Sequence, residues 1–128
     1  MKIDRIDHLV VTTACLEACL HFYTGILNLE ADNSDGRWAV KFGNQKLNIH
    51  CKKSEFLPAA RNVTYGSQDL CLIAEGPIEV VKAEIEAAGW PIELGVVQRS
   101  GALGPMDSIY LRDPDENLIE IGVYSRRS

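Results

Sequence analysis

Four side chains of metal-ligand type, His8, His50, Asp69 and Glu120, stand in strand-like surroundings in this chain. Glu120 is the sharpest of them. It lies between Ile119 and Ile121 in SIYLRDPDENLIEIGVY, residues 108–124, which reads as two strands joined by a tight turn. A charged side chain is seldom buried unless it is paired or bound to a metal, because leaving water uncompensated is costly. If the four meet, they offer two nitrogens and two carboxylates to a divalent ion. Whether they meet depends on the elements that carry them.

The patterning supplies those elements twice. Residues 3–11, IDRIDHLVV, read as a strand. Thr13 is placed to cap a helix beginning at Ala14, in which Leu16, Leu20, Tyr23 and Leu27 recur at helical spacing. Gly25 or Asn28 ends it, since both tolerate the left-handed conformation. Three short strand-like pieces follow, near 29–32, 37–42 and 46–52, with turns at Asp35-Gly36 and Gly43-Asn44. The second half keeps the same order. Residues 68–74 read as a strand, and Gly76-Pro77 opens a helix. That helix buries Ile78, Val81, Ile85 and Ala88, and Gly89 stops it. A strand near 91–97, a glycine-rich loop at 100–105 and a closing hairpin of 108–111 with 117–124 complete the half. Residues 54–67 carry no strong periodicity.

The expectation is therefore one α+β domain of two modules, each strand, helix and three strands. Module 1 covers about 1–53, a connector 54–66, and module 2 about 67–128. Neither half can bury a sheet face alone, so the halves should pair into a curved sheet with helices outside. Laid on one another, the halves match His8 with Asp69 in the opening strands. Residues 42–50 laid on 112–120 set His50 against Glu120.

The chain has 128 residues, 46% hydrophobic and 24% charged, with a net charge of -5. That is long enough for a sizeable core and offers no basic footprint for nucleic acid or anionic membrane. The nearest basic cluster is the Arg126–Arg127 pair. No apolar run approaches a membrane span and MKIDRIDHL lacks a signal-peptide pattern, so a cytoplasmic protein is expected. The four cysteines lack CxxC spacing and are expected to be buried apolar thiols.

The segments DHLVV (7–11), HFYTGILNLE (21–30) and YLRDPDENLIEI (110–121) resemble the glyoxalase, bleomycin-resistance and extradiol-dioxygenase group, the vicinal oxygen chelate superfamily. The resemblance covers essentially the whole chain. Members usually carry glycine where this chain has Glu116, and often where it has Asn28. The resemblance implies paired βαβββ modules in a mostly antiparallel, U-shaped sheet around a cleft holding a divalent metal. It makes His8 the opening-strand ligand of module 1 and Glu120 the closing-strand ligand of module 2. Asp69 stands where many members have His or Gln, and His50 near where glyoxalase I has Glu.

On that footing the expected metal ligands are His8, His50 and Glu120, holding Fe, Mn, Ni, Co or Zn. The metal would take the vicinal oxygens of a substrate and stabilise an enolate or alkoxide. Glu120 and Asp69 are the expected catalytic carboxylates, with Asp69 the candidate base. Tyr110, Asn48 and Arg99 are the candidate substrate contacts; Asn48 shares a strand face with His50. The function expected first is a metal-dependent lyase or isomerase of glyoxalase type acting on a small oxygenated molecule. An extradiol-type dioxygenase and a metal-free drug-binding dimer of bleomycin-resistance type are the alternatives. A homodimer is expected in each case.

Overall fold

The computed structural model describes residues 1–34 and 36–125. The Asp35 half of the Asp35-Gly36 turn and the Arg126–Arg127 pair lie outside the described residues. Two compact units divide at Gly66 and Ser67, and each is a βαβββ module. No helix among the described residues is long and apolar enough to cross a membrane.

The first module contains β1 (His8–Thr12), α1 (Leu16–Leu20) running on as a π-helical stretch (His21–Ile26), β2 (Glu30–Asp32), β3 (Ala39–Phe42) and β4 (Gln45–His50). Its strands are ordered β1-β4-β3-β2, with β1 parallel to β4 and the remaining pairs antiparallel. The helix starts two residues later than its apolar spacing suggests. The Thr13 hydroxyl accepts the Cys15 N–H at 3.2 Å while Cys15 is still extended, so the first helical turn opens at Leu16. Asn28, at φ 59°, is the left-handed residue that ends the segment. One sheet face packs Val11, Val40, Leu47 and Ile49 with Cys19, Phe22, Tyr23 and Ile26 in the buried core. The opposite face carries His8, Lys46, Asn48, His50 and Lys41, because alternate strand residues point to opposite sides.

The second module contains β5 (Asp69–Ile73), α2 (Ile78–Ala87), β6 (Leu94–Gly101), β7 (Gly104–Arg112) and β8 (Leu118–Tyr124). Its order, β5-β8-β7-β6, repeats that of the first, with β5 parallel to β8. Pro77 is the N-cap of α2 and Gly89, at φ 83°, follows its end. Of the four residues expected on the buried helix face, Ile78 and Ile85 are buried, Val81 is half-buried and Ala88 is exposed. Ile109, Leu111, Ile119 and Ile121 fill the core face of the sheet, each contributing about 1.5–3 kcal/mol by leaving water. Leu111→Ala should cost about 2–5 kcal/mol.

Residues 100–105 form no glycine-rich loop. Gly101 pairs with Gly104, so β6 and β7 make a long hairpin turning at Ala102 and Leu103, and Arg99 lies within β6. The cysteine expectation also needs correcting: only Cys19 is buried, while Cys15, Cys51 and Cys71 are exposed. Cys71 sits on β5 at the edge of its sheet, and Cys51 follows the end of β4.

The register corrects the comparison of the two halves. His8 pairs with Lys46 and Asp69 with Leu118, so the opening-strand match of His8 with Asp69 holds. Tyr110 pairs with Glu120, whereas Ala39, its counterpart, pairs with Asn48. Glu120 therefore corresponds to Asn48, and His50 corresponds to Gly122. The shift is two residues, which keeps His50 on the expected face but moves it one step along the strand.

Candidate functional site

Glu120 is held by the middle of a three-strand ladder. Tyr110 of β7 lies directly opposite it on one side and Cys71 of β5 on the other. Directly paired residues share a sheet face, so Cys71, Glu120 and Tyr110 form one row on the face away from the Ile/Leu core. Glu120 Oε2 is buried and, among the described residues, has no hydrogen-bond partner. A buried carboxylate oxygen with no donor is costly, and a cation is the group that would satisfy it.

The groups around it are arranged for small polar ligands. Arg99 Nε donates to the Tyr110 hydroxyl at 3.0 Å, and the guanidinium carbon lies 5.4 Å from the centre of that ring. With a lone pair so occupied, the Tyr110 O–H remains a donor. Asp69, exposed, is two residues before Cys71 on the same face and is the diagonal neighbour of Glu120, about 7–8 Å away by sheet geometry. Cys71 is a neighbour the sequence reading passed over. Burial and then the Glu120 charge push its thiol up to about 11.

The position of β5 is set by the turn that precedes Glu120. Asp113 Oδ1 accepts the amides of Asp115 and Asn117 at 2.9 Å each, and Asn117 Nδ2 donates to Asp113 Oδ2 at 2.7 Å. Asn117 Oδ1 in turn accepts the Gln68 N–H at 2.8 Å, anchoring the residue just before Asp69. Glu116, at φ 72°, takes the left-handed position of this turn.

In the first module, His8 Nδ1 lies 2.8 Å from Asp7 Oδ1. With Nδ1–H donated to that carboxylate, Nε2 keeps its lone pair for another partner. The bond holds the Asp7 carboxyl below its usual range. His50 belongs to different surroundings. It pairs with Thr12, four residues along β1 from His8, or about 13 Å at strand spacing. Two imidazoles standing off one sheet at that separation cannot share an ion with bonds of about 2 Å, so His8 and His50 of the same module do not form a ligand pair. The His50 ring meets the Phe56 ring edge-on at 5.0 Å, the Arg37 guanidinium covers Phe56 at 3.9 Å, and burial pushes the imidazole below its ordinary value. Asn48, half-buried between Val10 and Ala39, occupies the place that corresponds to Glu120.

The chain is 40% identical over 124 residues to a glyoxalase domain-containing protein of Mycosarcoma maydis, covering 97% of this chain and 70% of that protein. The chain belongs to the glyoxalase/bleomycin-resistance/dioxygenase family. It is also 48% identical over 125 residues to a virulence protein of Salmonella typhimurium, covering 97% of this chain and 87% of that protein, whose crystal structure superposes with a TM-score of 0.94. A lactoylglutathione lyase from Agrobacterium tumefaciens has a TM-score of 0.73 at 25% identity, with 95% of each chain covered. No protein-family model matches the chain.

Glyoxalase-family members typically use a divalent metal, and the residues present can be tested against one. Among the described residues no three His, Cys, Asp or Glu side chains are gathered into a ligand cluster. Two donors fit individually: the unpartnered Glu120 Oε2, and His8 Nε2 with its ring oriented by Asp7. A carboxylate that orients a ligating imidazole is a recurrent feature of metal sites.

Proposed function

We propose that this protein is a metal-dependent glyoxalase-like enzyme, a lyase or isomerase, acting on a small oxygenated molecule. The observation that carries the reading is the buried, unpartnered Glu120 Oε2, flanked on its own sheet face by Tyr110 and, diagonally, by Asp69. His8 and Glu120 are each proposed as a metal ligand. When bound, such an ion supplies Lewis-acid stabilisation of negative charge developing on a substrate oxygen.

The chain's own groups take the remaining roles. Asp69, an exposed carboxylate beside Glu120, accepts a proton from substrate carbon. Tyr110 donates a hydrogen bond to a substrate oxygen while Arg99 fixes its hydroxyl. Asn48, at the Glu120-equivalent place of module 1, is the remaining proposed substrate contact. We read the protein as a homodimer, since the edge strands β1 and β5 expose Leu9, Val10 and Ile73.

Metal uptake is the test. Purified protein reconstituted with Zn, Mn, Ni, Co or Fe(II) should bind near one ion per chain, and His8→Ala and Glu120→Gln should each lose tight binding. Asp69→Asn should retain the metal and lose turnover. No uptake by well-folded native protein would overturn the enzyme reading and leave small-molecule sequestration.

A further inference from the structure

We propose that Lys46 and Lys41 form an oxyanion-binding subsite beside His8, so that the substrate is a molecule carrying a carboxylate or phosphate group. The inference rests on the reading of His8 as part of the active centre. It follows from the register of the first module. His8 pairs with Lys46, Lys46 with Lys41, and Lys41 with Glu30, giving one row across all four strands on the face opposite the core. Paired side chains stand about 4.5–5.5 Å apart at Cβ, so the Lys46 stem begins beside the imidazole.

Two features mark this row as a ligand surface. Lys41 and Lys46 are directly opposite one another on an antiparallel pair, and like charges so placed destabilise a sheet. In addition, Lys46 is half-buried and its ammonium makes no ion pair among the described residues. Lys41 shares its charge with Asp32 at 3.5 Å, and the nearby Asp7 carboxylate is engaged by His8 Nδ1. The ammonium of Lys46 helps to hold the Asp7 carboxyl ionised but forms no ion pair with it, so it remains open to an external anion, which would also relieve its repulsion with Lys41.

The space to receive one is there. A cavity of about 720 Å³ opens at this end of the module, lined by Lys41, Lys46, Asn28, Asn44 and Gln45, with Asp7 and Glu30 in its wall. That is the size of an ordinary small-molecule site. The amides of Asn28 and Asn44 add neutral donors, while Gln45 Nε2 is already given to the Ile6 carbonyl. The overall charge of -5 repels anions, so attraction must come from local cations such as these.

Inorganic phosphate and malonate, titrated separately into metal-free protein at low constant ionic strength, test the subsite. At least one should bind saturably and raise the urea midpoint of the wild-type chain. Lys46→Gln should weaken that binding on the order of 10- to 100-fold, as expected for losing a charged hydrogen-bond partner. Without anion the variant should be at least as stable as wild type, because the Lys41 repulsion is gone. Phosphate responding alone assigns a phosphorylated substrate, and malonate responding alone a carboxylate. A wild-type midpoint unmoved by both anions, or a Lys46→Gln response equal to wild type, overturns the proposal. Because no metal is present, failure of metal binding in the His8→Ala variant remains a separate result.

Discussion

Cys71 faces Glu120 directly across the parallel β5–β8 pair, and burial together with that carboxylate pushes its thiol up to about 11. The folded protein therefore keeps a proton that an unfolded chain, at the ordinary thiol value of 9.0, would release. Between those two values stability falls as pH rises; below 9.0 the contribution is complete. At neutral pH the thiol is protonated although exposed. In metal-free protein Cys71 should react with iodoacetamide at least about tenfold more slowly than a free cysteine, since the thiolate is the nucleophile. Glu120→Gln should speed the reaction. Peptide mass spectrometry after timed alkylation reads both rates, and equal rates for Cys71 and free cysteine would sink the idea.

Asp7 tests whether His8 is a ligand without touching His8. Asp7→Asn leaves the imidazole in place but weakens the acceptor that orients it. Metal affinity should drop by about 10- to 100-fold, the usual cost of losing such an outer partner. Competition with a chromophoric chelator measures the change. An unchanged affinity would mean that His8 does not bind through Nε2.

Asp113 should be the most sensitive polar residue of the closing hairpin. It is buried, and its two oxygens accept the Asp115 and Asn117 amides and the Asn117 side chain. Asp113→Ala leaves the Asp115 and Asn117 amides without that acceptor and frees Asn117, which holds Gln68. A loss of about 3 kcal/mol is expected from a buried, charge-assisted set. Urea unfolding gives the value, and a loss below about 1 kcal/mol would contradict the assignment.

His50 should titrate below its ordinary value of 6.5, because burial beside Phe56 disfavours the imidazolium more than Glu55 favours it. A depressed value means that the folded state binds its proton late. The contribution to stability is present above 6.5 and is lost as pH falls through the folded value. Phe56→Ala should move the titration back toward 6.5, which NMR of the ring protons would follow.

The candidate residues were legible one by one. Glu120 stood out because a carboxylate between two isoleucines contradicts its surroundings, and its orphaned Oε2 is the structural form of that contradiction. Tyr110 and Arg99 were legible as candidates, but the loop read at 100–105 hid the hairpin whose first strand carries Arg99. The glycines at 101 and 104 read as breakers, yet they lie paired at the end of a hairpin. Cys71 was misread because an apolar stretch says nothing about whether its strand lies at a sheet edge, where one neighbour is missing.

The sequence by itself determined the repeated order of strand, helix and three strands, and the correspondence of His8 with Asp69. Both follow from local periodicity and turn residues. Which residue of module 1 corresponds to Glu120 was decided only by the tertiary structure. The ladder in module 1 runs on to Phe42 and Gln45 and turns at residues 43–44, whereas in module 2 it ends at Arg112 and Leu118 around residues 113–117. The longer turn is held by Asp113 binding the amides of Asp115 and Asn117, a contact invisible to composition or spacing. The pairing of Ala39 with Asn48 and of Tyr110 with Glu120 moves the match from His50 to Asn48, while within module 1 His50 meets Phe56 and Lys46 lies beside His8. Register depends on how a turn satisfies its backbone, and only the folded hairpin shows that.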